Sequence, residues 1–154
     1  MTKPAAPRMR TARPEDLDTL RAVIEAAFAP HAARIGRRPA PMDDDHAAQV
    51  AAGLVQLAER DGRAVAVLVL HPEAGEMVID TLAVDPAWQG QGLGRGLMDA
   101  AEGLARASGL GALRLYTNEA MEAAIGLYRR CGYVETGRVV EDGFRRVRFR
   151  KALR

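Results

Sequence analysis

Val84-Asp-Pro-Ala-Trp-Gln-Gly-Gln-Gly-Leu-Gly-Arg-Gly-Leu97 links a strand-like segment to a helix-like one and carries glycine at positions 90, 92, 94 and 96. Glycine lets a backbone approach a ligand closely and adopt conformations closed to other residues. Amides left free at a helix N-terminus, reinforced by the helix dipole, form a seat for phosphate. Glycines at a helix start weaken the helix, so packing alone gives no reason for this cluster. A nucleotide-triphosphatase loop is excluded, because no Gly-Lys-Ser/Thr triplet occurs in the chain. The dinucleotide fingerprint Gly-x-Gly-x-x-Gly also fails in each register, since Arg95, Leu97 and Asp99 stand where its third glycine belongs. What remains is Gln89-Gly-Gln-Gly92-Leu-Gly94 after a strand ending Leu82-Ala-Val84.

On either side of this loop the periodicity is clear. Glu76 to Val84 reads as a strand closed by Asp85-Pro86. Leu97, Met98, Ala101, Leu104 and Ala105 form one stripe of a helix from about Leu93 to Ser108. Further on, Leu113 to Thr117 is a short strand, and Met121 to Arg130 a helix with Gly132 just past its end. Tyr133 to Val140 and Phe144 to Lys151 form a hairpin about Glu141-Asp-Gly143. Toward the amino terminus, Met9 to Ala12 is a strand, and Arg13-Pro-Glu-Asp16 opens a helix with Leu17, Leu20, Val23, Ile24 and Phe28 at helical spacing. Pro30 is expected to end that helix, residues 31–42 to form a loop, and Asp43 to cap a second helix running to about Ala52. Leu54 to Glu59 and Arg63 to Leu70 make a hairpin about Arg60-Asp-Gly62, and a turn over His71 to Gly75 leads back to the strand before the glycines. The order β-α-α-β-β-β-α-β-α-β-β is that of one mixed α/β domain over residues 1–154, without internal repeats.

Composition narrows the function. With 48% apolar and 27% charged residues, the chain can bury a core. Its longest strongly apolar run, Ala64 to Leu70, is far short of the roughly 20 residues that span a membrane. Met1 to Arg10 holds no apolar stretch of the kind a leader carries, and a cytoplasmic protein without membrane contact is expected. Cys131 is the sole cysteine, which excludes an internal disulfide, and His31, His46 and His71 share no ligand spacing, so no metal is expected. The net charge of +2 hides an asymmetry, because nine Lys/Arg face three acids from Arg129 onward. Alternation in the last strand puts Val147 and Phe149 on a buried face and Arg146, Arg148 and Arg150 on a face expected to meet solvent. Contact with an anionic ligand is the alternative. Nucleic acid is disfavoured because no aromatic residues interleave with these arginines on the exposed face.

The motif Gln89-Gly-Gln-Gly92-Leu-Gly94 resembles the pyrophosphate loop Gln/Arg-x-x-Gly-x-Gly/Ala of the GCN5-related N-acetyltransferase (GNAT) superfamily. Arg13-Pro-Glu-Asp-Leu17, Leu82-Ala-Val-Asp-Pro86 and Leu127-Tyr-Arg-Arg-Cys-Gly-Tyr133 follow the order of that family, so the resemblance covers nearly the whole chain. It implies the GNAT fold, a mixed and mostly antiparallel twisted sheet of about seven strands flanked by about four helices, with acetyl-CoA as cosubstrate and no metal. By the same resemblance, Leu82, Ala83 and Val84 splay from the neighbouring strand and offer backbone groups to the pantetheine arm. The amides of Gln89, Gly90, Gln91, Gly92, Leu93, Gly94 and Arg95 would hold the pyrophosphate, with Arg95 adding charge. Asn118 is a further candidate contact, its competing role being a cap for the next helix. Tyr128 matches the tyrosine that protonates the departing thiolate, a task suited to a phenol that keeps its proton at neutral pH. Many members carry an asparagine one or two turns before that tyrosine, where this chain has Met121 and Ala124.

Direct transfer needs a neutral amine, so a group must accept its proton. Strict alternation would place Glu76, Val78, Asp80, Leu82 and Val84 on one strand face, and the family often sets a carboxylate there. Asp80 is the stronger candidate, since a carboxylate inside an apolar strand is costly without a role, and Glu76 is the second. Cys131 reads as a packed thiol, and His46 and His71 as surface residues. Residues 31–45 are expected to wall the acceptor pocket, where Arg34, Arg37 and Arg38 would suit an anion and Asp43, Asp44 and Asp45 a cation. The resemblance implies an acetyl-CoA-dependent N-acetyltransferase acting on a small-molecule primary amine by direct attack in a ternary complex. A protein N-terminus or Lys acceptor and a non-catalytic acyl-CoA sensor are the alternatives, and a homodimer is left open.

Overall fold

A computed structural model describes residues 7–154. Residues 1–6, part of the stretch read above for a leader, lie outside the described residues. Seven strands, β1 (Arg8–Thr11), β2 (Val55–Arg60), β3 (Arg63–Glu73), β4 (Glu76–Val84), β5 (Ala112–Asn118), β6 (Val134–Glu141) and β7 (Phe144–Ala152), form one sheet in the order β1-β2-β3-β4-β5-β7-β6. Every neighbouring pair is antiparallel except β4 and β5. Helices α1 (Leu17–Phe28), α2 (Ala32–Ile35) and α3 (His46–Ala51) come before β2, α4 (Leu93–Ala107) lies between β4 and β5, and α5 (Glu122–Arg130) lies between β5 and β6. No helix among the described residues is long and apolar enough to cross a membrane.

The sheet separates two apolar clusters. On one face Leu20, Val23 and Ile24 of α1 pack against Leu57, Val67 and Val69. On the other Leu93, Leu97, Met98 and Ala101 of α4 pack with Ala66, Leu68 and Leu70, next to Tyr128 and Phe149. β3 is therefore buried on both sides, which is why Val65 to Leu70 reads as an unbroken apolar run.

Two irregularities of β4 shape the site. Val69 pairs with Thr81 whereas the next residue, Leu70, pairs with Ile79, so Asp80 is an extra residue that bulges from the ladder. The bulge breaks the alternation expected for this strand. Met77 and Ile79 share a cluster with Leu82 and Val84, while Ala83 belongs to the opposite one. Glu76, Val78, Asp80, Leu82 and Val84 thus do not share one face. In addition, β4 pairs with β5 only over Met77 to Ile79, although β5 runs on to Asn118 along β7. Beyond Ile79 the two parallel strands part, and the edge of β4 lies open.

The region between α1 and β2 is more regular than its proline content suggests. Pro30 sits in the first turn of a 3₁₀ segment, Ala29–His31, where a missing N–H goes unneeded, and the chain continues into α2 until Gly36 stops it at φ 84°. A second 3₁₀ turn covers Ala40–Asp43. The cap of α3 is Asp45, whose side chain accepts the Ala48 N–H at 3.0 Å; Asp43 instead pairs with Arg38 at 2.7 Å. His46, expected at the surface, is buried at the start of α3, with Nδ1 3.1 Å from Gln49 Oε1.

Candidate active site

The parting of β4 and β5 leaves two cavities that meet. The larger, about 470 Å³, runs along the glycine loop and is lined by Leu82, Val84, Trp88, Gln89 to Arg95 save Gln91, and by Leu127 and Arg130 of α5. Gly90 and Gly92 both hold φ at 79°, which a side chain would strain, and nothing lies within 4 Å of where their Cβ atoms would be. The first backbone bond into α4 runs from Gly96 N–H to Gly92 O at 3.1 Å, so the amides of Leu93, Gly94 and Arg95 keep no partner within the helix. Gly94 permits close packing: a Cβ there would stand 3.0 Å from Leu127 Cδ2. Gln89 donates its side-chain N–H to Val84 O at 3.2 Å and ties the loop to the strand end.

Cations outnumber acids in this cleft, Glu122 being a carboxylate in its lining. Arg34, Arg95 and Arg130 line it together with His31, whose Nδ1 is buried without a hydrogen-bond partner among the described residues and whose pKa is lowered by burial and then by Arg34. Free helix amides, a floor cleared by glycine, an orphaned ring nitrogen and three guanidinium groups fit the pyrophosphate and phosphate of a nucleotide-bearing ligand. The open edge of β4 fits an extended arm that needs backbone partners.

The smaller cavity, about 120 Å³, shares Phe28, Leu82, Met121 and Ala124 with the larger. Its roof comes from Ile35, Pro39, Ala40 and Pro41, its floor from β4 and β5, and its far wall from Phe144 and Arg146 of β7. Tyr128 of α5 lines it, one turn beyond Ala124, which lines both cavities. The Tyr128 ring packs against Tyr133 and Phe149 with centroids 6.2 and 5.9 Å away. Burial, with a smaller contribution from Cys131, pushes its pKa up to about 12. The phenol is therefore an acid that keeps its proton until one is drawn from it.

Asp80 lines the smaller cavity as well, its carboxylate thrown forward by the bulge. Its Oδ2 accepts from His71 Nδ1 at 2.6 Å, and His71 Nε2 lies 3.5 Å from the exposed Glu73. His71, expected to be an unengaged surface residue, thus backs the carboxylate. Thr81, beside Asp80, is 3% exposed and its hydroxyl has no hydrogen-bond partner among the described residues, although the residue lines the cavity. Glu76 lies elsewhere, paired with Arg150 at 3.2 Å and Arg114 at 3.8 Å, and lines neither cavity. Asn118 lines only the smaller cavity and spends its side-chain oxygen on the Ala120 N–H at 2.9 Å, the turn-capping role. Cys131 packs beside the α4 cluster, and burial raises its pKa.

Arg146 departs from the expectation of a solvated face. Only 12% of its side chain is exposed, and its guanidinium lies 4.3 Å above the Tyr116 ring while pairing with Glu141 at 2.8 Å. Arg148 and Arg150 remain about half exposed, at 52% and 45%. Tyr116, Thr81, Trp88 and Arg130 are not singled out by the sequence as site residues, His71 reads as a surface residue, and anion contact by Arg146 is only the alternative to a solvated face. The bulge at Asp80 and the packing of the 35–41 segment on Phe144, neither of which has a local signature, shape the smaller cavity.

Residues 20–133 match the Acetyltransferase (GNAT) family model, and the chain belongs to that family. It is similar to mycothiol acetyltransferases. The protein of Propionibacterium freudenreichii subsp. shermanii is 31% identical over 147 residues, covering 84% of this chain and 44% of its relative. That of Streptosporangium roseum is 44% identical over 63 residues, 41% of this chain and 18% of its relative. The chain thus spans less than half the length of these curated relatives. Among solved structures, a GCN5-related N-acetyltransferase of Rhodopseudomonas palustris matches at TM-score 0.81 and 25% identity over 99% of both chains. The PaiA N-acetyltransferase of Thermoplasma acidophilum, solved in complex with coenzyme A, shares the fold at TM-score 0.81 and 18% identity over 95% of this chain and 98% of its own.

Proposed function

We propose that the protein is an acetyl-CoA-dependent N-acetyltransferase that acts on the primary amine of a small molecule by direct attack in a ternary complex. The observation that carries this reading is the meeting of the two cavities at Phe28, Leu82, Met121 and Ala124, with Asp80 and Tyr128 both facing the smaller one. Two substrates seated at once react without a covalent enzyme intermediate, and Cys131, packed and with its pKa raised, offers no nucleophile in its place.

The amides of Leu93, Gly94 and Arg95, with Arg34, Arg95 and Arg130, would hold the phosphates, and the open edge of β4 at Leu82 to Val84 the pantetheine arm. Acetyl-CoA, when bound, supplies an activated acyl carbon and a thiolate leaving group. Asp80 takes the proton of the incoming ammonium on its carboxylate, with the His71 Nδ1–H behind it holding that carboxylate in place. Tyr128 supplies the proton that the departing sulfur needs. The roof over the smaller cavity, residues 35–41 resting on Phe144 through Arg37 at 4.0 Å, favours a small acceptor over a protein surface.

Tyr128→Phe tests this reading. Turnover should fall by roughly 10²- to 10⁴-fold, the usual worth of a general acid, while calorimetry finds CoA affinity unchanged. An equal loss in both would make Tyr128 a packing residue and remove the assigned acid.

A further inference from the structure

We propose that the acceptor carries a carboxylate or comparable anionic group remote from its amine, and that Arg146 is the residue that selects it. The proposal rests on the N-acetyltransferase reading and extends it to the chemistry of the acceptor.

A guanidinium buried in a cavity wall needs compensation, and Arg146 is only partly compensated. Its ion-pair partner Glu141 is shared with Arg148, so two guanidinium groups face one carboxylate and a positive charge is left over. Arg37 adds another. Its guanidinium stacks on Phe144 at 4.0 Å and donates to the Asp142 carbonyl at 2.6 Å, and among the described residues it meets no carboxylate within ion-pairing distance. Gly143 keeps this approach open, since a Cβ there would collide with the Arg37 guanidinium. The Arg146 guanidinium carbon sits 4.3 Å from the centre of the Tyr116 ring, a contact that restrains the fork available for two-pronged recognition of a carboxylate.

The opposite end of the cavity has the opposite character. Asp80 lies on β4 with the orphaned Thr81 hydroxyl beside it, and Tyr116 stands between these residues and Arg146 on the intervening strand β5. Asp44 lies close enough to Asp80 for the two carboxylates to act on each other, so negative charge gathers at that end. Two strand spacings separate β4 from β7, which puts the backbones of Asp80 and Arg146 about 10 Å or more apart. The fitting acceptor presents its amine to Asp80, lays an apolar or aromatic body across Tyr116 and Phe28, and sets its anion against Arg146.

Thiol release from acetyl-CoA is measured with 4-(aminomethyl)benzoate, benzylamine and 4-(aminomethyl)benzylamine, and with the homologues of each one and two methylenes longer. The carboxylates should show kcat/KM about tenfold or more above the neutral amines, with the diamines lowest, as for a charged hydrogen bond gained. Arg146→Gln should bring the carboxylates to within about threefold of the neutral amines, and Glu141→Gln, which retains Arg146 and removes its competitor, should widen the gap. In parallel, binding of the amine-free acid 4-methylbenzoate is followed by calorimetry, with folding checked by circular dichroism. Equal kcat/KM across the three charges, or a preference that survives Arg146→Gln, overturns the proposal. If no amine releases thiol yet 4-methylbenzoate binds in an Arg146-dependent way, the N-acetyltransferase reading falls and the anionic subsite stands. Thiol release without charge preference and without acid binding has the reverse meaning.

Discussion

The phosphate seat of the larger cleft is built on one continuous stretch, Leu82 to Arg95, with residues of α1, α2 and α5 closing its other side, whereas the smaller cavity is assembled from side chains on α1, α5, three strands and the 35–41 roof. Backbone donors are common to every residue, so a phosphate seat demands little of the sequence beyond glycines that clear the space. Side-chain recognition depends on which residues long-range folding brings together. A cleft that holds an invariant ligand can be local, while a cavity that selects among ligands is built from distant parts.

That contrast makes the two regions respond differently to substitution. The largest effect is expected at Gly92, which holds φ at 79° and leaves the loop floor open. Gly92→Val forces a β-branched residue into a left-handed conformation, at about 1–3 kcal/mol of strain, and fills the seat. CoA binding should become undetectable by calorimetry; an unchanged Kd would show that the loop does not hold the phosphates. Next comes Asp80→Asn, which should lower kcat/KM for the amine by roughly 10²-fold or more with CoA affinity unchanged. His71→Gln should cost less, about tenfold, because His71 acts through Asp80. A CoA affinity that falls with either variant would blur the division between the regions.

A pH series sharpens it further. With the Tyr128 pKa pushed up to about 12, the phenol stays protonated well past the ordinary tyrosine value of 10. Wild-type turnover should therefore show no loss from Tyr128 ionisation below about pH 10. An alkaline limb near pH 9 that vanishes in Tyr128→Phe would contradict the buried, proton-holding environment. The smallest effect is expected at a site belonging to neither region. Arg10 donates to both Asp16 oxygens at 2.8 Å and holds that carboxyl down to about 2, below the ordinary 3.8. A folded-state pKa below the unfolded one stabilises the protein above the unfolded value, and that gain is lost as pH falls from near 4 toward 2. Asp16→Asn should flatten the acid limb of an unfolding-against-pH curve while leaving CoA affinity and amine kcat/KM alone.

The same contrast explains what was legible in the sequence. The glycine loop, the strand order along the chain and the helix that carries Tyr128 could be read because each depends on residues close together. Glu76 and Asp80 looked equivalent by alternation, yet one extra residue in β4 turned Asp80 toward the cavity and left Glu76 among Arg114 and Arg150. A bulge inserts no characteristic residue, so its position cannot be read from the pattern of side chains. Arg146 was read as solvated because its neighbours in sequence alternate correctly; what covers it are Tyr116 on β5 and Phe144 with the roof segment, from more than 100 residues earlier in the case of Arg37. The histidines follow the same rule, His71 being engaged by Asp80 across the β3–β4 turn and His46 buried by packing at the start of α3.

Amine-dependent release of thiol from acetyl-CoA, with the product identified by mass, tests the central claim most directly. The two-cavity site predicts release only when a primary amine is present, one N-acetylated product for each thiol. Release at the same rate without amine, or tight CoA binding with no release across a broad amine panel, would contradict it.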